Sequence, residues 1–396
     1  MQRIGIYGGT YNPPHMGHVQ AAQYACQALQ LDRLLMVPTN VSPHKQLADN
    51  SPTAQQRLQM VSLAAQGIPS IEASDVELRR EGPSYTWQTV AAFREQYPDA
   101  KLFLLMGTDM FLCFDSWKEP QHILKNAALA VFYRGQADEV SQINDQKQKL
   151  EAMGAEIYLV NNPVLDISST ELRRMLVLRC ASEYLHPAVE RLIYNHGFYG
   201  TGRELRNLSL EQLQEAVVSL LKPNRVAHVM GCRQAAEALA KRWGADETDA
   251  ARAALLHDIT KALDGPHQLT LSRSYGMILD AFSSRNPKTL HALTGSWVAE
   301  RIFGENEAVV NAIASHTTGK PGMNLLEMII YVADYMEPNR DFPGVEELRA
   351  LAYSDLKAAL KLGLNMTITL LRQQGREVSP ESAQTLAWLK SEERKI

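Results

Sequence analysis

At 396 residues the chain exceeds the ~100–200 residues usual for one domain, and its 45% hydrophobic content is enough for two cores. A net charge of -4 and a pI near 6.3 exclude the strongly basic balance of a bulk nucleic-acid or acidic-membrane binder, so phosphate binding has to be local. Cys26, Cys113, Cys180 and Cys232 form no Cys-x-x-Cys pair, the first residues have no charged and apolar leader pattern, and no run of about 18 apolar residues occurs, so a cytoplasmic protein with free thiols and no membrane partner is expected.

The apolar run Ile4-Gly5-Ile6-Tyr7 predicts a short buried strand, followed by Gly8-Gly9-Thr10-Tyr11-Asn12-Pro13-Pro14-His15-Met16-Gly17-His18 and a helix from Val19 to Leu29. Gly8 and Gly9 let backbone approach an anion closely. His15 and His18, three apart across the helix start, share one side of it, where free N–H groups and the positive end of the helix dipole attract phosphate. The string has neither the Gly-x-Gly-x-x-Gly of dinucleotide folds nor the Gly-Lys-Ser/Thr of P-loops.

Arg33–Pro38 predicts the next strand, and β, α, β implies a parallel sheet. Ser42-Pro43-His44-Lys45 is the loop past it. Helices are expected over 55–66 and from Trp87 to Gln96, with Ile71-Glu72-Ala73-Ser74 opening the segment between them and Ser84-Tyr85-Thr86 starting the second. Lys101–Met106 is apolar enough for a central strand buried on both faces, and it ends in Gly107-Thr108-Asp109 at the carboxyl edge where open α/β sheets bind ligands. Trp117 follows in Asp115-Ser116-Trp117-Lys118. Further strands are expected over 127–133, with Arg134 at the end, and 157–160. Ser168 with Glu171 is a capping box, and Arg173 and Arg174 in the first turns oppose the helix dipole by roughly 0.3–1 kcal/mol each, a sign that bound polyphosphate would reverse.

The first string resembles the (H/T)xGH signature of the nucleotidyltransferase superfamily, in particular that of bacterial nicotinate mononucleotide adenylyltransferases. Ile167-Ser168-Ser169-Thr170-Glu171-Leu172-Arg173 resembles the superfamily's second phosphate motif, about 150 residues on, and the likeness covers residues 1 to about 200. The resemblance implies a doubly wound, Rossmann-like α/β sheet and adenylyl transfer from ATP with Mg²⁺. It places ATP on Gly8, Gly9, Thr10, His15, His18, Ser168, Ser169, Thr170 and Arg173, with His15, His18 and Arg173 catalytic. It places nicotinate mononucleotide on Lys45, Tyr85, Thr86, Asp109, Trp117 and Arg134. The family usually has Asp two residues after the Thr, where this chain has Gln88.

Thr201-Gly202-Arg203 marks a joint, giving expected domains 1–202 and 203–396. Beyond it apolar residues recur at helical spacing between prolines, which predicts an all-α domain. His228 lies near a helix start, His257-Asp258 directly follows an apolar run, and Asp334 shares a helix face with Leu326 and Ile330. A carboxylate buried there costs several kcal/mol unless paired or coordinated, and the four side chains suit a divalent metal.

The order His, His-Asp, Asp resembles the HD phosphohydrolase superfamily, and Tyr331-Val332-Ala333-Asp334-Tyr335-Met336-Glu337-Pro338-Asn339-Arg340 narrows the likeness to YqeK-type HD domains over about 205–390. This implies symmetrical hydrolysis of diadenosine tetraphosphate to two ADP. The implied metal ligands are His228, His257, Asp258 and Asp334; His228, Asp258, His291, His316, Thr317 and Arg340 would bind ADP or the dinucleotide. Lys261, a turn past His257-Asp258, could add positive charge. Family resemblance favours iron, while the residue types suit manganese or zinc equally. Open alternatives are a transferase using nicotinamide mononucleotide or pantetheine phosphate, and a second domain that hydrolyses other nucleotides or only senses one. The expected partners are these small nucleotides, with a homo-oligomer left open.

Overall fold

The computed structural model describes residues 1–41, 47, 50–133, 137–161 and 167–393. The chain divides into two compact units, Met1–Arg203 and Glu204–Ile396.

The first unit is built on a parallel sheet of β1 (Arg3–Gly9), β2 (Arg33–Pro38), β3 (Ile71–Ala73), β4 (Lys101–Gly107), β5 (Ala128–Tyr133) and β6 (Ile157–Asn161), in the order β3-β2-β1-β4-β5-β6. Successive strand residues face opposite sides of a sheet, so alternate residues of the apolar runs feed two cores. Ile4, Ile6, Leu102, Leu104, Leu129 and Val131 enter one. Leu34, Met36, Phe103, Leu105, Ala128 and Ala130 enter the other. With helices covering both faces, the unit is the expected doubly wound α/β fold. Strand order reverses between β1 and β4, and the crevice outside their carboxyl ends is where such sheets take ligands. Gly8-Gly9 ends β1 and Thr108-Asp109 follows β4, so two expected substrate-binding stretches open at this switch point.

Two local differences from the sequence reading have plain causes. The first helix runs Met16–Ala28, because His15 takes the N-cap position with extended backbone and the His18 ring accepts its free N–H. The segment opened by Ile71 is a three-residue edge strand paired only with β2, too short to announce itself by alternation.

The second unit is helical among its described residues. Helices Pro223–Trp243, Glu247–Leu256, His291–Val298, Glu307–Ser315 and Leu325–Met336 carry or adjoin its clustered histidines and carboxylates. Capping fixes several starts: Asp246, Asn306 and Asn324 each accept a backbone N–H of the first turn. No described helix is long and apolar enough to cross a membrane.

Two candidate active sites

The loop after β1 is shaped by side chains that hold its backbone. Tyr11 lies in the left-handed region at φ 48°, rare outside glycine, and its buried hydroxyl donates to the Tyr7 carbonyl at 2.6 Å. Arg57, 1% exposed, donates to the carbonyls of Thr10 and Thr39 at 2.6 Å each, tying the loops after β1 and β2 together. Asn12 accepts from the Tyr199 hydroxyl at 2.8 Å and donates to Ser51 at 3.0 Å. A Cβ on Gly8 would meet no atom within 4 Å, so the space over this glycine is open.

His15 and His18 come together as the spacing predicts, with ring centroids 3.7 Å apart and the His15 N–H donating to His18 Nδ1 at 3.2 Å. Burial pushes His15 down to about 4, and burial together with His15 pushes His18 well below the ordinary imidazole value, so both rings are neutral at pH 7. His15 Nδ1 is buried and has no hydrogen-bond partner among the described residues.

Arg173 links the two phosphate motifs. From helix Ser169–Val177 it donates to the Asn12 carbonyl at 2.9 Å and to Thr170 Oγ1 at 3.1 Å. Ser168 caps that helix through Glu171, the reciprocal pair read from the sequence. Four of the six expected mononucleotide residues lie among the described residues. Asp109 is exposed and close enough to Tyr7 to reinforce, after burial, the upward push on that phenol. Trp117 is half-buried against Phe114, while Tyr85 and Thr86 open helix Thr86–Gln96, with the Lys118 ammonium 4.3 Å over the Tyr85 ring. Lys45 and Arg134 lie outside the described residues.

In the second unit the four expected ligands do not form one equidistant set. His228, Cys232, His257 and Asp334 have ligand atoms within 4.8 Å of one another, and His257, Asp258 and His316 form an overlapping group. His228 Nε2 is 3.2 Å from Asp334 Oδ1 and 3.5 Å from Asp258 Oδ2; His257 Nε2 is 3.5 Å from Asp258 Oδ2 and 3.9 Å from Asp334 Oδ1. On the other side of Asp258, its Oδ1 lies 3.4 Å from His291 Nε2, 3.5 Å from Lys261 Nζ and 3.9 Å from His316 Nε2, and Thr317 Oγ1 is 3.3 Å and 3.2 Å from those two ring nitrogens.

The surroundings aim these rings. Nδ1 of His257, His291 and His316 each meets the carbonyl three residues back, of Ala254, Lys288 and Ile313, at 2.7 Å, which leaves each Nε2 as a lone-pair donor towards the cluster. His228 Nδ1 meets Glu337 Oε1 at 3.1 Å instead, and Asn339 holds the other Glu337 oxygen at 2.7 and 2.9 Å. Burial pushes His257 and His291 well below the ordinary value and His316 to about 4. Asp334 is opposed by burial, yet His228, His257 and Arg340 outweigh it and hold the carboxyl well below the usual range. Neutral imidazoles beside an ionised carboxylate, with His257 Nε2 and Asp258 Oδ1 buried and without a hydrogen-bond partner among the described residues, are a donor set that fits a divalent cation.

Cations line the site. Arg340 donates to Asp334 Oδ1 at 2.7 Å, Arg225 pairs with Asp258, and burial lowers Lys261 to about 8. Sequence reading passed over Arg57, Arg225, Cys232 and Glu337. Arg225 and Cys232 were findable, since each lies within four residues of His228 on one helix and hence on or near its face.

The sequence pattern described as cytidylyltransferase-like matches residues 6–175, and that of the HD domain matches residues 225–339. A protein of Neisseria meningitidis serogroup B named "Probable nicotinate-nucleotide adenylyltransferase" is 35% identical over 205 residues, spanning 50% of this chain and 99% of that one. The "Bis(5'-nucleosyl)-tetraphosphatase, symmetrical" of Bacillus subtilis is 38% identical over 188 residues, spanning 46% of this chain and 99% of that one. The chain belongs to both families, joined end to end. A crystal structure of a "predicted HD superfamily hydrolase involved in NAD metabolism" from Clostridium acetobutylicum is 35% identical, covering 47% of this chain and 98% of that one with a TM-score of 0.46. Both family matches fall within single units, one on each side of the Arg203–Glu204 junction.

Proposed function

We propose that the chain is a bifunctional enzyme: residues 1–202 transfer the adenylyl group of ATP to nicotinate mononucleotide, giving nicotinate adenine dinucleotide and pyrophosphate, and residues 203–396 hydrolyse diadenosine tetraphosphate symmetrically to two ADP. The observation that carries this reading is that each half spans nearly the whole of a curated relative at 35% and 38% identity, and each holds a cluster suited to the chemistry in that relative's name.

In the first unit the mononucleotide phosphate is already a nucleophile, so the protein's work is alignment and charge stabilisation. Gly8, Gly9 and Thr10 give backbone access to the phosphates, and His15 and His18 offer ring N–H groups beside the helix start. Arg173, tethered to Asn12 and Thr170, holds the far phosphates with the Ser168-Ser169-Thr170 turn. Lys45, Tyr85, Thr86, Asp109, Trp117 and Arg134 take the mononucleotide, Trp117 stacking on its pyridine ring. Mg²⁺ bound with ATP would neutralise charge on its phosphates.

In the second unit His228, His257, Asp258 and Asp334 hold a divalent cation, iron being favoured. Such an ion supplies Lewis acidity towards phosphoryl oxygen and a water of lowered pKa. Arg225, Lys261 and Arg340 balance the polyphosphate charge, the Thr317 hydroxyl presents a donor to its oxygens, and His291 and His316 line the same side of the site beside Asp258. Incubating metal-replete protein with nicotinate mononucleotide plus ATP, and separately with diadenosine tetraphosphate, tests both readings by product identification. Turnover of nicotinamide mononucleotide in preference to the nicotinate form would overturn the first, and AMP plus ATP in place of two ADP would overturn the second.

A further inference from the structure

We infer that the first unit has a second activity: in place of nicotinate mononucleotide it accepts a second ATP, and so makes diadenosine tetraphosphate, the substrate of the second unit. This rests on both halves of the proposed function and goes beyond them by assigning the reaction that supplies the hydrolase.

Diadenosine tetraphosphate is ATP whose terminal phosphate carries a further adenylyl group, so the reaction that makes it is adenylyl transfer to a phosphate. A γ-phosphate oxygen of the acceptor ATP attacks the α-phosphorus of the donor ATP and forms the new P–O bond. The bond from that phosphorus to the α,β-bridging oxygen breaks, and pyrophosphate leaves with its electron pair. Two ATP become one diadenosine tetraphosphate and one pyrophosphate, with no proton to move. The nucleophile is of the same kind in both reactions. The mononucleotide phosphate and the γ-phosphate each carry one substituent, and a second pKa of ~6 leaves such groups largely dianionic at pH 7. The donor triphosphate meets His15, His18 and Arg173 whichever acceptor is present.

The acceptor side offers stacking faces and positive charge. Trp117 is half-buried, its ring 5.1 Å from that of Phe114, and Tyr85 opens helix Thr86–Gln96. Aromatic faces stack on any base, so they take an adenine as they take a pyridine. The exposed Lys118 holds its ammonium 4.3 Å over the Tyr85 ring. One turn along the helix from Tyr85, the Thr89 hydroxyl accepts from Arg80 at 2.6 Å and donates to the buried Glu77 at 2.7 Å, which anchors the Arg80 guanidinium beside the first turn. The mononucleotide brings one phosphate and one carboxylate to this side. An acceptor ATP brings three phosphates, and two phosphate-binding cations suit that charge.

Product stoichiometry tests this in the wild-type chain. Metal-replete full-length protein given labelled ATP and Mg²⁺ without mononucleotide should release two ADP for each pyrophosphate, with neither AMP nor orthophosphate. Synthesis followed by symmetrical hydrolysis sums to two ATP and one water giving two ADP and one pyrophosphate. The Asp258→Ala variant should accumulate diadenosine tetraphosphate instead, and saturating nicotinate mononucleotide should abolish that accumulation by taking the acceptor pocket. Lys118→Glu should lower it by a larger factor than it lowers nicotinate adenine dinucleotide formation. AMP with pyrophosphate, ADP with orthophosphate, or no turnover of ATP alone by protein that makes nicotinate adenine dinucleotide overturns the inference. So does accumulation that saturating mononucleotide leaves undiminished, or an equal effect of Lys118→Glu on both products. Protein that makes neither dinucleotide removes the transferase reading along with the inference. Diadenosine tetraphosphate that persists in the wild type keeps the inference and removes the hydrolase reading.

Discussion

His18 is neutral in the free protein, so what it offers a polyphosphate is a positioned N–H rather than a standing charge. By comparison with losing one preorganised donor, His18→Ala should lower kcat for adenylyl transfer by roughly 10²–10³-fold, and near-normal turnover in a steady-state assay would remove the residue from the mechanism. Trp117, packed on Phe114 and away from the two phosphate motifs in sequence, should behave differently. Trp117→Ala is expected to raise KM for the mononucleotide and leave KM for ATP nearly unchanged. Arg57 contributes through the loops it ties. Arg57→Met would strip the Thr10 and Thr39 carbonyls of their donors at roughly 1–3 kcal/mol per unpaired group, lowering both Tm and transferase turnover. The histidines and the Ser168–Arg173 turn were legible in sequence because their chemistry is local: spacing alone puts them on one side of a helix start. Arg57 was not, because an arginine in the Gln-rich run Gln55-Gln56-Arg57-Leu58-Gln59 reads as a solvated charge until the tertiary fold turns it onto two carbonyls.

Between elements, the decisive contact in the second unit is a close approach. A Cβ on Gly231 would lie 2.2 Å from Glu337 Oε2, so only glycine on helix Pro223–Trp243 leaves room for the carboxylate that orients His228. Gly231→Ala should displace Glu337 and lower metal affinity by ~10–100-fold, the usual cost of losing a ligand's outer partner, with the helix otherwise kept. An unchanged affinity in a chelator competition would show that Glu337 does not position the ring. The sequence carried the elements themselves well: five of the strands and the capping box at Ser168 follow from apolar runs and end signals. It could not carry Glu337, which lies past the helix end in Met336-Glu337-Pro338 and acquires its role only by meeting a helix more than a hundred residues earlier. The three-residue β3 shows the same limit, since an edge strand that short has no period to read.

For the whole molecule, acid is the natural stress on the first unit. His15 is held at about 4 against an ordinary 6.5, so between those values the unfolded chain binds protons that the folded chain refuses. Stability is full above about pH 6.5 and falls as pH drops towards 4, with a slope of up to about 1.4 kcal/mol per pH unit for one such group. His15→Asn should flatten the fall of Tm over that window, and parallel curves for the variant and the wild type would contradict the burial of a neutral imidazole.

The claim that ties the molecule together is that one chain carries two separate chemistries, with the phosphate clamp at His18 and the metal cluster at Asp258 in different compact units. The most direct measurement is a paired assay of the full-length chain and its His18→Ala and Asp258→Ala variants. Each would be given nicotinate mononucleotide with ATP and, separately, diadenosine tetraphosphate in heavy-oxygen water. The expected result is crossed: His18→Ala loses nicotinate adenine dinucleotide formation and keeps release of two ADP, one of them labelled, while Asp258→Ala loses hydrolysis and bound metal and keeps adenylyl transfer. Loss of both activities in either variant, hydrolysis that survives Asp258→Ala, or AMP and ATP as products would contradict it.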